Sequence, residues 1–368
     1  MSKLSFLPAV LQPGRALLLA AAATLIALAP PGARGAAAPA PLRRLQTLAV
    51  PGKPLEKFDI GFVNANGIYA FSDKSNHALD LFDAASGRFL GRATGFGSGP
   101  KGVVAVGRDE FWAGDGDSGA VKVVSVRSHR IIASIGTEPG KVTDELTYDP
   151  RDHLVAVVSK HDGPPIINLI STRTRRLVGR VPVPQASDGA EQPLWDPTSG
   201  LLYVSIPVLD HVKARGAIAV IDPRRHTLLK LMPVEKCMPA GLALGPRDEL
   251  LVGCSDDAVA AGFPARSLIV DASSGRIVAR LPQVGGSDEV YSDARAGRYY
   301  LAAVANPGGP VLGVVDSRTR RWLANVPTGS DAHSVAVDAA TGRVFVPIAA
   351  SAARGPCHRG CIAVYGPR

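Results

Sequence analysis

Short apolar runs alternating with polar positions recur along the chain, separated by turns rich in Asp, Asn and Gly. The stretch Val326–Ile348 shows one unit of this pattern most fully. Within it, Ser334–Val337 and Arg343–Ile348 are predicted strands. Asp338–Gly342 joins them, and its glycine suits the positive φ of a tight hairpin turn. A hairpin of this size cannot bury its own apolar face, so such units must stack to make a core.

Turns of the same chemistry recur along the chain. They are Asn64–Gly67, Gly107–Asp109, Asp149–Asp152, Asp196–Gly200, Gly245–Asp248, Asp293–Gly297 and Asp338–Gly342. A second family of turns follows them: Asp83–Arg88, Ser125–Arg130, Ser171–Arg176, Asp222–Thr227, Asp271–Arg276 and Asp316–Arg321. The first family repeats every 40 to 50 residues, roughly the length of one four-stranded propeller blade. Each unit is therefore predicted to hold four strands and no long helix.

The last unit ends after three strands, at Ile362–Tyr365. Its fourth strand is predicted at the other end of the chain, because Arg44–Pro51 (RLQTLAVP) matches the fourth strands Arg175–Pro182 and Arg320–Pro327. A blade shared between the termini closes the ring and removes exposed sheet edges. The predicted fold is all-β, a seven-bladed β-propeller over residues 44–368, its ring closed by an N-terminal strand that completes the last blade.

The N-terminus has the pattern of an export signal. Lys3 and Arg15 precede the apolar run Ala16–Ala29, and small residues follow it. The run is shorter than the ~20 apolar residues of a membrane span. Residues 1–37 are therefore predicted to be a signal peptide and residues 38–43 a short linker. We expect a periplasmic or secreted protein without a membrane span.

Composition and charge agree with a globular, exported protein. The chain has 368 residues, of which 46% are hydrophobic and 20% charged, and its formal net charge is +9. Many arginines fall in the second family of turns, which places a basic belt on one face of the ring. No aromatic residues are interleaved with them, and export removes most nucleic-acid partners. We therefore expect a solvated surface and no nucleic-acid partner.

Four cysteines occur, and export places them where disulfides persist. Cys237 lies just before the first strand of the fifth unit and Cys254 just after the next strand, so the hairpin brings them to the same end and predicts a disulfide. Cys357 and Cys361 are close in sequence and lack a second Cys pair at zinc-site spacing. We expect them to staple a small loop.

Several segments resemble a known family. IAVID at Ile218–Asp222, LYVS at Leu202–Ser205, GSGPKGVVAV at Gly97–Val106 and the stretch Val326–Val346 are similar to the repeats of YVTN or YncE-like β-propellers of exported bacterial proteins. The resemblance extends from about Arg44 to the end of the chain. It implies the seven-bladed fold, and it implies no particular activity, because such propellers carry unrelated functions.

The strand order predicts two faces. The loop face carries the loops that enter each innermost strand and the loops between second and third strands. The turn face carries the two families of turns. Function usually resides on loops held by a rigid scaffold, which favours the loop face. The histidines mapping to the loop face are His77, His161, His211, His333 and His358, and those mapping to the turn face are His129, His153 and His226.

Acidic residues precede the innermost strand in several units, where a propeller has the mouth of its central channel. The candidate ligand-binding residues there are Lys101, Asp144, Glu145, Glu191, Asp288, Glu289, Asp331 and His333, with Asp188 close to Glu191. Carboxylates and an imidazole around one mouth offer O and N ligands to a divalent cation such as Zn²⁺ or Ca²⁺. The candidate metal ligands are Glu145, Glu289 and His333, with His161 and His211 as weaker candidates. The alternative is that these loops are simply solvated.

No motif for an activated nucleophile, a phosphate-binding loop, a zinc protease or a haem is present, and no catalytic residue is assigned. The expected function is binding or scaffolding, with a metal ion or small molecule at the channel mouth. A metal-dependent lyase or lactonase is the first alternative. A platform for docking a protein partner is the second.

Overall fold

The computed structural model describes residues 41–137, 142–160, 164–353 and 355–367. The predicted signal peptide and His161 lie outside the described residues. None of the described residues belongs to a helix long and apolar enough to cross a membrane. Within the described ranges, two short helical segments occur between strands, a 3₁₀ turn at Gly116–Ser118 and the helix α1 at Asp256–Ala260.

The first half of the chain contains the strands β1 (Leu42–Leu48), β2 (Gly61–Val63), β3 (Ile68–Asp73), β4 (Ala78–Asp83), β5 (Phe89–Thr94), β6 (Val103–Val106), β7 (Glu110–Gly114), β8 (Ala120–Ser125), β9 (Arg130–Gly136), β10 (Val142–Asp149), β11 (Leu154–Lys160), β12 (Ile166–Ser171) and β13 (Arg176–Pro182). The second half contains β14 (Pro193–Trp195), β15 (Leu202–Ile206), β16 (Arg215–Asp222), β17 (Thr227–Glu235), β18 (Pro239–Gly245), β19 (Glu249–Cys254), β20 (Ser267–Asp271), β21 (Ile277–Leu281), β22 (Ser287–Asp293), β23 (Arg298–Ala303), β24 (Val311–Asp316), β25 (Arg321–Pro327), β26 (Ala336–Asp338), β27 (Arg343–Ile348) and β28 (Cys361–Pro367).

These strands form seven four-stranded antiparallel sheets within the described residues, each sheet one blade. Blades 1 to 6 take four consecutive strands each, from β2–β5 to β22–β25, and blade 7 consists of β26, β27, β28 and β1. The predicted turns join the first to the second strand and the third to the fourth strand of the blades. The predicted seven-bladed β-propeller is confirmed.

Ring closure is also confirmed. β1 pairs antiparallel with β28, from Leu42 opposite Pro367 to Leu48 opposite Ile362. The strand begins two residues before the predicted Arg44 and ends before Pro51, so it includes Leu42 and Arg43, which the sequence pattern gave to a linker. Leu42 and Leu48 are both buried, Leu42 between blades 6 and 7 and Leu48 between blades 7 and 1. They face opposite sides because the register of β1 shifts between Arg44 and Gln46.

Apolar side chains pack between adjacent blades. Between blades 7 and 1, Tyr69 stacks on Phe345 with ring centroids 4.6 Å apart, and Phe71 and Phe82 belong to the same cluster. Trp112 is fully buried between blades 2 and 3. Each sheet therefore buries both faces, which explains why many middle strands are apolar at successive positions rather than alternating.

Several arginines of the predicted basic belt pair with acids of a neighbouring blade. Arg175 Nη2 lies 2.5 Å from Glu110 Oε1, joining blade 3 to blade 2. Arg224 pairs with Asp152 at 2.7 Å. Arg320 of blade 6 pairs with the buried Glu249 of blade 5. The turn face is therefore partly neutralised by ion pairs that link blades.

Both cysteine pairs lie at disulfide distance. Cys237 and Cys254 have Cα atoms 4.4 Å apart, and both residues are fully buried. Cys357 and Cys361 have Cα atoms 5.0 Å apart and close a loop that leads into β28. Among the described residues no cysteine is free. Both predicted pairings are supported.

Candidate functional site

The loop face opens into a cavity of about 240 Å³ at the mouth of the central channel, here called the mouth cavity. It gathers the predicted ligand-binding residues with one exception, since Glu289 lies just below it. The predicted residues that line it are Lys101, Asp144, Glu145, Glu191, Asp288, Asp331 and His333. Loops far apart in sequence therefore meet at one mouth, as the repeat pattern predicts.

Below the mouth lies the channel cavity, of about 310 Å³, which is lined by the innermost strands. Most of its lining residues are apolar or glycine, and they include Phe62, Val104 and Leu244. Two acidic residues, Glu145 and Glu289, are among the residues that line it. Because Glu145 also lines the mouth cavity, it marks the boundary between an acidic opening and an apolar channel.

Both Asp-Glu pairs lie on irregularities of innermost strands. The register of β10 on β11 shifts between Thr143 and Leu146, so Asp144-Glu145 forms a β-bulge. The register of β22 on β23 shifts in the same way between Ser287 and Val290, so Asp288-Glu289 forms another. A bulge re-aims side chains relative to the pleat of a strand. The similar segments TDEL (143–146) and SDEV (287–290) are visible in the sequence, but the alternation of apolar and polar residues did not predict that they form bulges.

The preceding blade makes room for each bulge with two glycines. A Cβ on Gly102 would lie 2.5 Å from Glu145 Cα, and one on Gly114 would lie 2.8 Å from Asp144 O. The same contacts recur three blades later, where a Cβ on Gly241 would lie 2.8 Å from Asp288 O and one on Gly253 2.9 Å from Ser287 O. These are close backbone approaches that only glycine permits.

Glu145 and Glu289 are buried acids. Glu145 is 8% exposed, and its carboxyl makes no hydrogen bond or ion pair within the described part of the chain. Burial raises its pKa well above the usual value, and the charges of Glu289 and Glu191 raise it further. Glu289 is 3% exposed and accepts a hydrogen bond from Ser334 Oγ at 3.3 Å. Burial, followed by the Asp288 charge, also raises the pKa of Glu289.

His333 is held as a cation. Its ring stacks on Phe58, with centroids 4.5 Å apart. Its Nδ1 lies 2.8 Å from the backbone oxygen of Asp331 and 3.3 Å from Asp331 Oδ1. Burial alone lowers the pKa of His333, but the hydrogen bond to Asp331 and the charges of Asp288 and Asp59 outweigh it and raise the pKa to about 9. A metal ligand must be neutral imidazole, so this state disfavours coordination.

Residues of blade 1 complete the mouth cavity, and sequence reasoning missed them. Lys57, Phe58 and Asp59 precede β2, and Lys74 follows β3. Lys74 Nζ lies 3.2 Å from Asp59 Oδ2. The signal was available, because Lys57–Asp59 occupies the position before an innermost strand at which the other units carry acids.

A second cavity of about 250 Å³ adjoins the mouth and shares Glu191 and Asp288 with it. It contains Asp188, together with Asp256 and Asp257 of α1. The two cavities are acidic neighbours on the loop face.

Neither of the weaker candidate metal ligands, His161 and His211, is among the described residues that line the mouth cavity. His211 is exposed on the loop face, where its backbone N donates to Ser187 Oγ, and neither loop-face cavity includes it among its lining residues. His161 lies outside the described residues. Within the described ranges, no group of three or more His, Cys, Asp or Glu side chains is arranged to hold a metal ion.

The comparisons with known proteins identify the fold class. No protein-family model matches this chain, and no curated protein matches it. Among solved structures, 1430 chains match, so the fold by itself does not select a function. One of them is from hydrazine synthase of Kuenenia stuttgartiensis, at 14% identity and a TM-score of 0.66, covering 80% of this chain and 92% of that chain. This likeness supports the β-propeller fold alone.

Proposed function

We propose that this chain is an exported propeller of the YVTN or YncE-like type that binds a small cationic ligand at its channel mouth. Glu145 carries the proposal. Its carboxyl is buried and unpartnered within the described part of the chain, and it faces both the acidic mouth cavity and the apolar channel cavity. Buried polar groups normally have a partner, so an exception lining a cavity points to one supplied by a ligand.

Electrostatics favours a cation at this position. Burial and neighbouring carboxylates raise the pKa of Glu145. In the free protein, therefore, no positive charge offsets the cost of burying its ionised carboxylate. A cation between Glu145 and Glu289 supplies that compensation where water is scarce and charge interactions are stronger. Binding then releases protons from the two carboxyls. The affinity of the protein for the cation is therefore expected to rise with pH, because fewer protons compete for the two carboxyls.

The channel favours an organic cation with an apolar body. An ammonium group beside Glu145 directs the rest of the molecule along Phe62, Val104 and Leu244. The channel cavity of about 310 Å³ suits a small ligand. Two lysines at the mouth neutralise part of its negative charge, since Lys101 pairs with Asp144 and Lys74 with Asp59. The mouth therefore suits a ligand of low positive charge. A primary amine with an aromatic or aliphatic body is the chemical class that fits.

A divalent metal ion is the other source of positive charge. Oxygen ligands from Glu145 and Glu289 suit Ca²⁺, whereas Zn²⁺ prefers N and S ligands. His333 is a poor third ligand while it remains protonated and bonded to Asp331. Among the candidate metal ligands, the two glutamates therefore fit best. Elemental analysis of protein purified from the periplasm tests for a resident ion.

Calorimetric titration of the mature protein tests the proposal. The probes are 2-phenylethylamine, CaCl₂ and ZnCl₂, each titrated at pH 6 and pH 8 in buffers of different ionisation enthalpy. We expect 2-phenylethylamine to bind with proton release, and Glu145→Gln to weaken binding by about tenfold or more because it removes a buried charge partner. Glu56→Gln is the matched control, because Glu56 is exposed outside the cavity. If none of the three probes binds more tightly to the native protein than to Glu145→Gln, the proposal is wrong.

The raised pKa values also favour a second candidate function. A protonated carboxyl beside a cavity is what general acid catalysis requires, and Glu145 and Glu289 both fit that description. A metal-dependent lyase or lactonase is thus a testable alternative. Turnover of a lactone panel that is abolished by chelator and by Glu145→Gln supports it. Without turnover or small-ligand binding, the loop face is better explained as a docking platform for a protein partner.

A further inference from the structure

The two disulfides lie in opposite environments. Cys237 and Cys254 are fully buried within an apolar cluster that includes Leu268 and Val252. Cys357 is only half-buried, and its neighbours Pro356 and His358 are exposed. Reactive cysteines are distinguished from structural ones by access and by positive charge nearby. Cys357 therefore has the access that both cysteines of the first pair lack, whereas its partner Cys361 is fully buried.

The second disulfide also has a positive charge beside it. Arg44 Nη2 donates to Cys357 Sγ at 3.0 Å and lies 3.5 Å from Cys361 Sγ. An arginine stays protonated at any physiological pH, and its charge stabilises a thiolate far more than a disulfide sulfur. Arg44 therefore favours reduction of this pair over reduction of the buried pair.

We propose that Cys357–Cys361 is a thiol–disulfide exchange site for a dithiol partner. A thiolate of the partner attacks the accessible Cys357 Sγ. The Cys357–Cys361 bond breaks, and Cys361 leaves with the electron pair as a thiolate beside Arg44. The second thiol of the partner then loses its proton to solvent and attacks the partner sulfur that is bonded to Cys357. This step forms the disulfide of the partner and releases Cys357 as a thiolate. The chain gains two electrons, and the partner becomes a disulfide.

The fold does not depend on this bond. The loop is also held to the segment before β2, because Leu55 N donates to Arg359 O at 2.8 Å and Arg359 Nη2 donates to Gly52 O at 3.0 Å. Cys361 begins β28, which pairs with both β27 and β1. Reduction therefore leaves the ring closed, and the dithiol can be oxidised again in place.

The first test compares the two disulfides in one molecule. The mature protein is equilibrated in dithiothreitol redox buffers of increasing reducing strength, alkylated, and mapped by mass spectrometry. We expect Cys357–Cys361 to be reduced under conditions that leave Cys237–Cys254 intact. Joint reduction of both pairs, or earlier reduction of the buried pair, overturns the proposal.

The second test isolates the arginine. The rate at which dithiothreitol reduces Cys357–Cys361 is expected to fall roughly threefold or more in Arg44→Ala, since a less stabilised thiolate leaves more slowly. Arg44→Lys keeps the charge and is expected to retain most of the rate. Arg43→Ala is the matched control, because Arg43 is the adjacent exposed arginine of β1. Unchanged rates in Arg44→Ala, or equal losses in Arg43→Ala, refute the role of Arg44.

The third test traps the intermediate. In Cys361→Ser, Cys357 has no internal partner, and oxidised glutathione is expected to modify it as a stable mixed disulfide detected by mass. The buried pair in the same molecule should remain unmodified. Failure of Cys357 to form the adduct, in protein that melts cooperatively, shows that the sulfur is not accessible and overturns the proposal.

Discussion

The His333 imidazole lies flat against the Phe58 ring, with centroids 4.5 Å apart and ring planes 2° from parallel. Phe58 precedes the innermost strand of blade 1, and His333 precedes that of blade 7. The contact therefore joins the two blades beside the ring closure, at the channel mouth. A cation over an aromatic face is attracted by the ring quadrupole, which suits the protonated state of His333.

Stability is expected to depend on pH through His333. Its folded-state pKa of about 9 exceeds the ordinary value of 6.5. The stabilising contribution is therefore fully present below pH ~6.5 and is lost as the pH rises through about 9, at a cost of up to about 3 kcal/mol. The melting temperature of the native protein should fall more between pH 6.5 and 9 than that of His333→Gln. Parallel curves for the two proteins contradict this prediction.

Gly102→Ala is expected to destabilise the protein and to disturb the mouth. The added Cβ would lie 2.5 Å from Glu145 Cα, so one of two backbones must move, at about 1–3 kcal/mol. Gly136→Ala is the control, because a Cβ there meets nothing within 4 Å. Denaturant unfolding measures both. Equal stability of the two variants shows that the close approach of Gly102 to Glu145 does not support the bulge of β10.

The closing strand is expected to be essential. Leu48→Ala should cost about 2–5 kcal/mol of unfolding free energy, because Leu48 is 4% exposed. Leu45→Ala, at a position 41% exposed, should cost little. Deleting the chain through Gly52 removes β1 and leaves the β28 edge unpaired, so we expect aggregation and a lower melting temperature. A truncated protein with unchanged melting and solubility contradicts the closure.

Arg92→Gln is expected to destabilise blade 1 in a pH-dependent way. Arg92 binds the buried Asp80 through two hydrogen bonds of 2.8 and 2.7 Å. Losing one partner of such a pair costs about 3–5 kcal/mol. Burial raises the pKa of Asp80 to about 7, although Arg92 opposes the shift. Asp80 is therefore mostly protonated at pH 5, and the penalty should be smaller there than at pH 8.

The control for this prediction is Arg88→Gln, which removes an exposed arginine of the same blade. Urea unfolding at both pH values gives the comparison. A penalty that is the same at pH 5 and pH 8 shows that removing Arg92 does not change the protonation of Asp80 in this range, which contradicts the prediction.

Local chemistry along the chain was sufficient to predict the fold. Turn residues set the strand boundaries, and their spacing set the size and number of the blades. The likeness of Arg44–Pro51 to other fourth strands identified the strand that pairs with β28. The Cys237–Cys254 pair followed from the hairpin between its cysteines. All of these depend on interactions within one blade or on a repeated local pattern, which a sequence records directly.

The candidate site could be predicted only as a set of residues near one mouth. The bulges that bring Glu145 and Glu289 to the channel depend on glycines of the preceding blades, such as Gly102 and Gly241. The charge state of His333 depends on Asp59 of another blade. Burial, register and electrostatic coupling between blades arise only when the ring closes. The sequence by itself therefore determined which residues reach the loop face, and the tertiary structure decided which of them are buried, charged and in contact.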